Sequence, residues 1–485
     1  MCQVVTLEPG GRSVVRVGFA EATQCQAAVD SARIVRGDRS LLLSGLTEAL
    51  LSALQALQSE VATKELEERV LQAEGIAGLA HWLSVLGQLE GIAALRYTLT
   101  WDGLSLAYLT PARRSDGIDD APPVGLVTLS RFGYLRRHHR RLMLDSPLGV
   151  GPVEVALATT LVGLQALSEV VDCGGRLAEA EDVAGAGLTG GWFAHWCGFL
   201  RSAGLVVSVD STGTSSEDRR PALQGWEFAD LLMHSRSRST RADQPIGGTF
   251  PGRGVTEPLP ALRPLASSEI IALPVPDLVA LARSDESLLS VMEARRSIRR
   301  HGPIPIDVPQ LSEFLYRTAR IVTDREIPAG DGSFEITRRV APSGGCCHPL
   351  EVYVVVGNCR GLAPGVYHYD PADHCLCRLE AAEGDLGLVL DGRYCVMEDG
   401  GRPQVLLCLT ARFRRASWKY QGVAYANVLK EVGVLYEAMY LIATAMGLAP
   451  CALGGGDTAA IVAMLGLDPL EEGPVGEFLL GSVVR

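Results

Sequence analysis

The sequence predicts an α+β chain in two parts. The N-terminal half reads as two related hairpin-and-helix units, and the C-terminal half as an antiparallel sheet flanked by helices. Three observations carry this. Two separate strings recur within the first 210 residues at nearly one offset. A Pro-rich stretch with little periodicity then runs from Gly248 to Pro276. Beyond Leu278, strand-like runs surround one long helical segment. The expected boundaries are 1–110 and 111–247 for the two units, 248–284 for a linker and 285–485 for the last domain.

Composition narrows the class. A chain of 485 residues exceeds one ordinary core, and 47% hydrophobic with 21% charged residues is globular. No apolar run reaches the roughly 18 residues needed to span a bilayer. The start, Met1-Cys2-Gln3-Val4, lacks the basic-then-apolar order of a signal peptide, so a cytoplasmic place is expected. A net charge of −12 argues against broad nucleic-acid binding. The basic residues are almost all arginine, and the only lysines are Lys64, Lys419 and Lys430. The twelve cysteines include no C-x₂-C pair, so reduced thiols and no metal site are expected.

In the N-terminal half, Leu51-x-x-Leu54-Gln55-Ala56-Leu57 returns as Leu161-x-x-Leu164-Gln165-Ala166-Leu167, an offset of 110. Ala80-His81-Trp82 returns as Ala194-His195-Trp196, an offset of 114. Residues 33–43 alternate around Gly37-Asp38, a hairpin signal, and 129–144 do so around the basic run Arg136-Arg137-His138-His139-Arg140-Arg141. A helix-period segment follows each hairpin, at about 45–57 and 152–169. In the first unit a short helix at 63–73, with Thr63 as cap, precedes a third helix that carries the Ala-His-Trp string. Strand-like 95–109 and 205–209 close the units, and polar 210–222 reads as an exposed loop. Hairpin, three helices, hairpin is the plan of a winged-helix unit. Such units bind DNA or peptides, and capture of a peptide on an open strand edge is the better reading here.

In the C-terminal half, 352–356, 366–369, 404–410 and 477–484 read as strands, and 422–446 as one long helix. Four sites stand out around them. Arg295-Arg296-Ser297-Ile298-Arg299-Arg300 offers planar guanidinium forks and a hydroxyl suited to phosphate oxygens. Pro342-Ser343-Gly344-Gly345-Cys346-Cys347-His348-Pro349 precedes a strand, and its two glycines let backbone approach a flat ligand. Trp418-Lys419-Tyr420 places a rare lysine beside a tyrosine, two groups that exchange protons once tuned. Gly447-Leu448-Ala449-Pro450-Cys451-Ala452-Leu453-Gly454-Gly455-Gly456-Asp457 ends the long helix in a glycine-rich loop that matches neither a Rossmann nor a P-loop pattern.

Taken in order, these motifs resemble the nitroreductase-like flavin fold, and more narrowly the SagB-type dehydrogenases. Those are the azoline oxidases of thiazole/oxazole-modified peptide pathways, including cyanobactins and thiopeptides. The resemblance covers about 285–485. Residues 129–137 with 144–148, and 226–238, are similar to the upstream part of longer members, which holds tandem winged-helix peptide clamps. The resemblance implies FMN, with its phosphate held by Arg295, Arg296, Ser297 and Arg299. It places the flavin ring near Pro342, Ser343, Gly344 and Gly345 and against Ala452, Leu453 and Gly454. Lys419 and Tyr420 map to the catalytic pair.

The implied reaction turns a thiazoline or oxazoline of a ribosomally made peptide into an azole. A proton goes to a base and a hydride to FMN, with O₂ as expected final acceptor. A precursor peptide, a pathway cyclodehydratase and a second copy of the chain are the implied partners. The chain departs from the family pattern where Ala426-Asn427 follows Tyr425, where Val434 follows Gly433, and where Ala229 replaces a histidine. A generic NAD(P)H-dependent nitro- or quinone reductase and an inactive peptide-binding scaffold remain alternatives.

Overall fold

The computed structural model describes residues 11–156, 191–238, 241–265, 267, 269–326, 334–381, 383–392, 396–398 and 401–484. The chain forms two compact units, Met1–Pro245 and Ile246–Arg485.

The first unit is organised by a seven-stranded antiparallel sheet. Its order is Val61–Ala62, Ser13–Phe19, Leu95–Trp101, Leu104–Leu109, Val153–Val155, Arg141–Asp145, Tyr134–His138. The first expected hairpin forms as Ser31–Arg36 and Arg39–Ser44, with Gly37 left-handed at the turn. The second forms as Tyr134–His138 and Arg141–Asp145. Strands from both sides of residue 110 join the one sheet, because Val153–Val155 pairs with Leu104–Leu109. One core serves both halves: Trp82 and Trp196, one from each Ala-His-Trp string, are buried in the same cluster. The expected division at 110 therefore separates neither sheets nor cores.

The helix Thr63–Gly91 breaks at Gly75, whose φ of 70° is left-handed, giving the two successive helices the pattern suggested. Thr63 is not its cap. Ala62 occupies that position, and the Thr63 hydroxyl donates instead to the Val15 carbonyl at 3.1 Å. Part of 210–222 is helical, as the single turns Ser216–Arg219 and Pro221–Gln224, with Ser215 capping the first. The second Leu-Gln-Ala-Leu string at 161–167, and most of the helix expected at 152–169, lie outside the described residues.

The second unit holds another seven-stranded antiparallel sheet, in the order Ile270–Ala272, Cys375–Leu379, Gly365–Asp370, Leu350–Val356, Val405–Arg412, Glu472–Ser482, Leu448–Leu453. Alternation with period two sends Val352, Val354, Val356, Leu407 and Leu409 to one face. There they meet the long helix Ala424–Ala445 and the helix Val308–Ala319. Tyr353, Val355, Leu406 and Cys408 go to the other face, under Glu383–Asp391 and Thr458–Leu465. Burial on both faces explains why these strands read as continuous apolar runs rather than as alternation.

The Pro-rich stretch expected to be a linker is instead a strap on the second unit. Phe250 N–H donates to the Lys419 carbonyl at 3.0 Å and Gly252 N–H to the Trp418 carbonyl at 3.1 Å. The Trp418 indole N–H donates to the Thr256 carbonyl at 2.7 Å, and Arg412 to the Pro260 carbonyl at 2.9 Å. Ile270–Ala272 then adds an edge strand. A sequence without periodicity can still be ordered when its carbonyls find buried arginine donors, and those donors come from distant parts of the chain.

Candidate active site

Lys419 and Tyr420 follow the short helix Phe413–Ser417, which leaves the end of the strand Val405–Arg412. Their backbone is held by the strap, and Trp418 anchors them from below. Its ring stacks on Phe334, with centroids 5.5 Å apart and an interplanar angle of 11°, and meets Phe250 edge-on at 5.9 Å. Lys419 Nζ donates to the Gly345 carbonyl at 3.2 Å. It also lies 5.5 Å from the Phe334 ring, 5.7 Å from Tyr420 and 5.8 Å from Phe250. Ring faces at these distances favour an ammonium ion. Burial, and next the Cys347 thiol and the Glu431 carboxyl, push the Tyr420 phenol above its usual range, so it stays protonated at neutral pH.

The Pro-Ser-Gly-Gly turn supplies the floor. Gly345 is left-handed, with φ of 59°, and so are Cys346 and His348. A Cβ on Gly345 would stand 2.3 Å from the Tyr420 hydroxyl and 2.6 Å from Lys419 Nζ. The absent side chain is thus the space in which both polar ends meet. Gly344 N–H donates to Glu431 Oε1 at 3.0 Å, and His348 N–H to the Ser343 hydroxyl at 2.8 Å. Behind the turn a mainly apolar cavity of about 40 Å³, lined by Ala341, Leu350, Val352 and Leu435, also meets Arg339, His348 and Glu431 and is large enough for water.

Two consequences can be measured. Gly345→Ala is expected to lower the turnover of any reaction using Lys419 and Tyr420 by about 100-fold, the low end of an acid–base contribution. Its melting temperature should shift by only a few degrees, because the left-handed backbone costs about 1 kcal/mol and both side-chain ends can swing away. A kinetic assay beside a thermal melt checks this. The second consequence concerns pH. Burial, and then the positive Arg339 and Arg415, push the His348 imidazole down to about 3 from an ordinary 6.5. The folded chain therefore binds fewer protons here than the unfolded one. This stabilising contribution is complete above pH 6.5 and is lost as pH falls from there towards 3. Melting temperatures between pH 7 and 5 should fall less steeply for His348→Gln than for the parent.

The second group of expected residues lies elsewhere on the long helix. Ser297 Oγ is 2.7 Å from the Tyr440 hydroxyl, which accepts the Ala452 N–H at 2.8 Å. The Arg295 guanidinium sits 5.2 Å over the Tyr440 ring. Ile298 N–H donates to the Pro450 carbonyl at 2.8 Å. Burial pushes the Cys451 thiol up, against the pull of Arg299 and the hydroxyls of Ser297 and Tyr440. Residues 448–453, expected as part of a glycine-rich loop, form instead the edge strand Leu448–Leu453, and this strand and the arginine segment form one surface that includes Arg295, Ser297, Arg299 and Ala452. Arg296 and Gly454 are exposed and Leu453 is buried. Positions 454 and 455 have open space where a Cβ would stand.

Glu431 marks the first group and Tyr440 the second. Nine residues of helix put them about 13 Å apart along the axis and on opposite faces. The structure therefore brings Lys419 and Tyr420 together with Gly344 and Gly345, and Arg295, Ser297 and Arg299 together with Ala452, as two separate half-sites.

Sequence reading missed Glu431, Tyr440, Phe334 and Arg415. Arg415 is fully buried. Its Nε donates to the Cys347 carbonyl at 2.9 Å, and its two Nη atoms to the carbonyls of Leu259 and Glu335 at 2.8 Å each. In sequence it looks like one more arginine among many. The long helix carries two glutamates, Glu431 and Glu437, and three tyrosines, Tyr425, Tyr436 and Tyr440, and nothing in the string singles out Glu431 and Tyr440.

Residues 292–482 match the model of the nitroreductase family. The chain carries a nitroreductase-family domain. Residues 127–243 match the model of the cyanobactin oxidase ThcOx. MJ1384 of Methanocaldococcus jannaschii, assigned as a nitroreductase, is 26% identical over 188 residues, 38% of this chain and 85% of that protein. The trifolitoxin-processing protein TfxB of Rhizobium leguminosarum bv. trifolii is 29% identical over 149 residues, 30% of this chain and 40% of that one. The microcin B17-processing protein McbC of Escherichia coli is 27% identical over 155 residues, 30% of this chain and 55% of that protein. A crystal structure of a protein assigned as a nitroreductase from Ralstonia eutropha JMP134 is 24% identical, with a TM-score of 0.36, over 50% of this chain and 99% of that one. Nitroreductase-family proteins typically bind flavin. No helix among the described residues is long and apolar enough to cross a membrane.

Proposed function

We propose that the chain is an FMN-dependent azoline dehydrogenase, oxidising thiazoline or oxazoline rings of a ribosomally made peptide to thiazoles or oxazoles. The observation that carries this reading is the Lys419–Tyr420 pair meeting over the side-chain-free Gly345. Support also comes from two relatives named as processing proteins, TfxB for trifolitoxin and McbC for microcin B17.

The half-sites suit FMN. Arg295, Arg296, Ser297 and Arg299 would hold its phosphate, and Ala452, Leu453 and Gly454 would flank it. Pro342, Ser343, Gly344 and Gly345 would face the ring, where the bare glycines admit a flat group. When bound, FMN supplies a two-electron acceptor that returns its electrons to O₂. The chain's own residues do the rest. Lys419 takes the proton from one ring carbon while hydride leaves the adjacent carbon. The surrounding ring faces stabilise the ammonium that results. Tyr420, kept protonated, donates a hydrogen bond that orients the azoline. The separation of the half-sites on one helix favours a homodimer in which each copy completes the other's site. The N-terminal unit is read as winged-helix peptide clamps, and the whole as a cytoplasmic enzyme working beside a cyclodehydratase.

The test is mass spectrometry of an azoline-containing peptide incubated with the purified chain in air. Loss of two hydrogens per ring supports the reading. An unchanged peptide, together with NADPH-dependent reduction of a nitroarene or quinone, would favour a reductase instead.

A further inference from the structure

The start of the strap, residues 247–254, is pressed onto the Lys-Tyr pair by hydrogen bonds. Gly247 N–H donates to the Gln421 carbonyl at 3.1 Å, and Gln421 N–H returns a bond to the Gly247 carbonyl at 3.0 Å. Phe250 N–H and Gly252 N–H bond the carbonyls of Lys419 and Trp418, and the Thr249 hydroxyl donates to the Gln421 side-chain carbonyl at 3.1 Å. The fit leaves no room at Gly252, where a Cβ would collide with the Trp418 ring. At Gly248 a Cβ would lie 3.8 Å from the Tyr420 ring.

Phe250 defies backbone sterics in this segment. Its φ of 52° lies in the left-handed region, which a bulky side chain rarely enters. Such strain persists only where the surroundings over-determine it, and it clusters at ligand contacts. The bonds to Lys419, Trp418 and Gln421 supply that determination, and the outcome is a phenyl ring aimed at the Lys-Tyr pair.

Three rings stand about equally far from Lys419 Nζ, and they differ in what they can still touch. Phe334 is 1% exposed, stacked on Trp418 and covered by the Arg415 guanidinium at 4.4 Å, so it has no face left for a ligand. Tyr420 offers its hydroxyl. Phe250 is only half-buried, with the Trp418 ring edge-on and the Arg253 guanidinium 4.5 Å from its centroid. A carbon that gives its proton to Lys419 must come within hydrogen-bond reach of Nζ. The ring bearing that carbon is then brought next to Phe250, whose centroid is 5.8 Å from the same nitrogen.

We propose that the strap forms a wall of the substrate site, and that Phe250 on it is a specificity-determining residue whose ring packs against the five-membered ring that Lys419 deprotonates. Aromatic contacts favour flat π-faces over puckered, saturated rings. A thiazoline flattens as it loses two hydrogens, so this contact improves along the reaction. The proposal rests on the proposed function for the identity of that ring.

The probe is a Gly-thiazole-Gly peptide, the product class, beside a Gly-Pro-Gly peptide, whose ring has the same size but is saturated and puckered. Both are titrated by ligand-observed NMR against the full chain with FMN in excess, so no turnover is needed. The ratio of the two dissociation constants is the readout, because general damage to the site weakens both peptides alike. The parent should prefer the thiazole peptide. Phe250→Leu keeps apolar bulk against Trp418 but removes the flat face, and should reduce the preference about three- to ten-fold, the worth of one aromatic pair. Phe250→Gly, which the left-handed backbone accepts without strain, should do the same. Phe250→Tyr should retain the preference. A parent without preference, a folded Phe250→Leu with the parental ratio, or a Phe250→Tyr that loses it would each overturn the proposal. A Phe250-dependent preference in a chain that leaves a thiazoline peptide unoxidised would count against the proposed function and leave the wall standing.

Discussion

Lys419→Ala is expected to lower azoline oxidation by roughly 10²- to 10⁴-fold, the range a positioned acid–base group contributes. The fold and the yellow colour of bound flavin should survive. Among the described residues the Lys419 side chain makes one hydrogen bond, to the Gly345 carbonyl, and it is only half-buried, so its loss removes little packing. The bond that fixes the local backbone, Phe250 N–H to the Lys419 carbonyl, does not depend on the side chain. Lys419→Arg separates two roles. A guanidinium keeps the positive charge and can still reach a carbonyl, but it cannot become a neutral base. If Lys419 takes the proton, Arg fails nearly as badly as Ala. If it only stabilises charge, Arg restores much of the rate. Anaerobic mixing with an azoline peptide, followed by bleaching of the flavin band, reads the chemical step alone. If Lys419 is the base and Tyr420, its pKa raised by burial, only orients the ring, Tyr420→Phe should be milder than Lys419→Ala.

Arg415→Ala is expected to destabilise the second unit by about 3–5 kcal/mol, because each buried carbonyl left without its donor costs about 1–3 kcal/mol and water regains part of that. Three carbonyls, on Cys347, Leu259 and Glu335, would lose their donor at once. The guanidinium also lies 4.4 Å over the Phe334 ring, against which Trp418 stacks. Burial already pushes this guanidinium down to about 10, so it remains charged at neutral pH and its bonds are charge-assisted. In a unit of this size, 1 kcal/mol moves the melting temperature by about 2–4 °C, so a fall of roughly 10 °C is expected in the calorimetric transition of this unit. Arg415→Lys should recover little, since one ammonium cannot span three carbonyls held by a planar fork. An unchanged transition would mean the strap carbonyls are satisfied some other way. Because Arg415 joins the glycine turn to the strap that holds Lys419, the variant should also lose activity below its melting temperature.

The arginine and the lysine differ in how visible they were. Lys419 stood out because the chain has three lysines, and Tyr420 beside it suggested proton chemistry. Arg415, four residues upstream, carried no such mark, and its partners lie 68, 156 and 80 residues away. The half-sites show the same contrast. Each motif was readable as a string, but that Ser297 meets Tyr440 while Gly344 meets Glu431 depends on where the long helix passes.

Local order determined much of the chain by itself. Apolar runs became the central strands Leu350–Val356 and Val405–Arg412, and the periodic segment became the helix Ala424–Ala445. Gly37-Asp38 and the left-handed His139 made their hairpins. These follow from periodicity and backbone sterics, which act between near neighbours. Only the tertiary structure decided that the Pro-rich stretch is a strap, that strands across residue 110 share one sheet, and that the basic hairpin lies at that sheet's open edge. Each of those outcomes rests on hydrogen bonds between groups far apart in the chain, and such pairing leaves no period in the sequence to read.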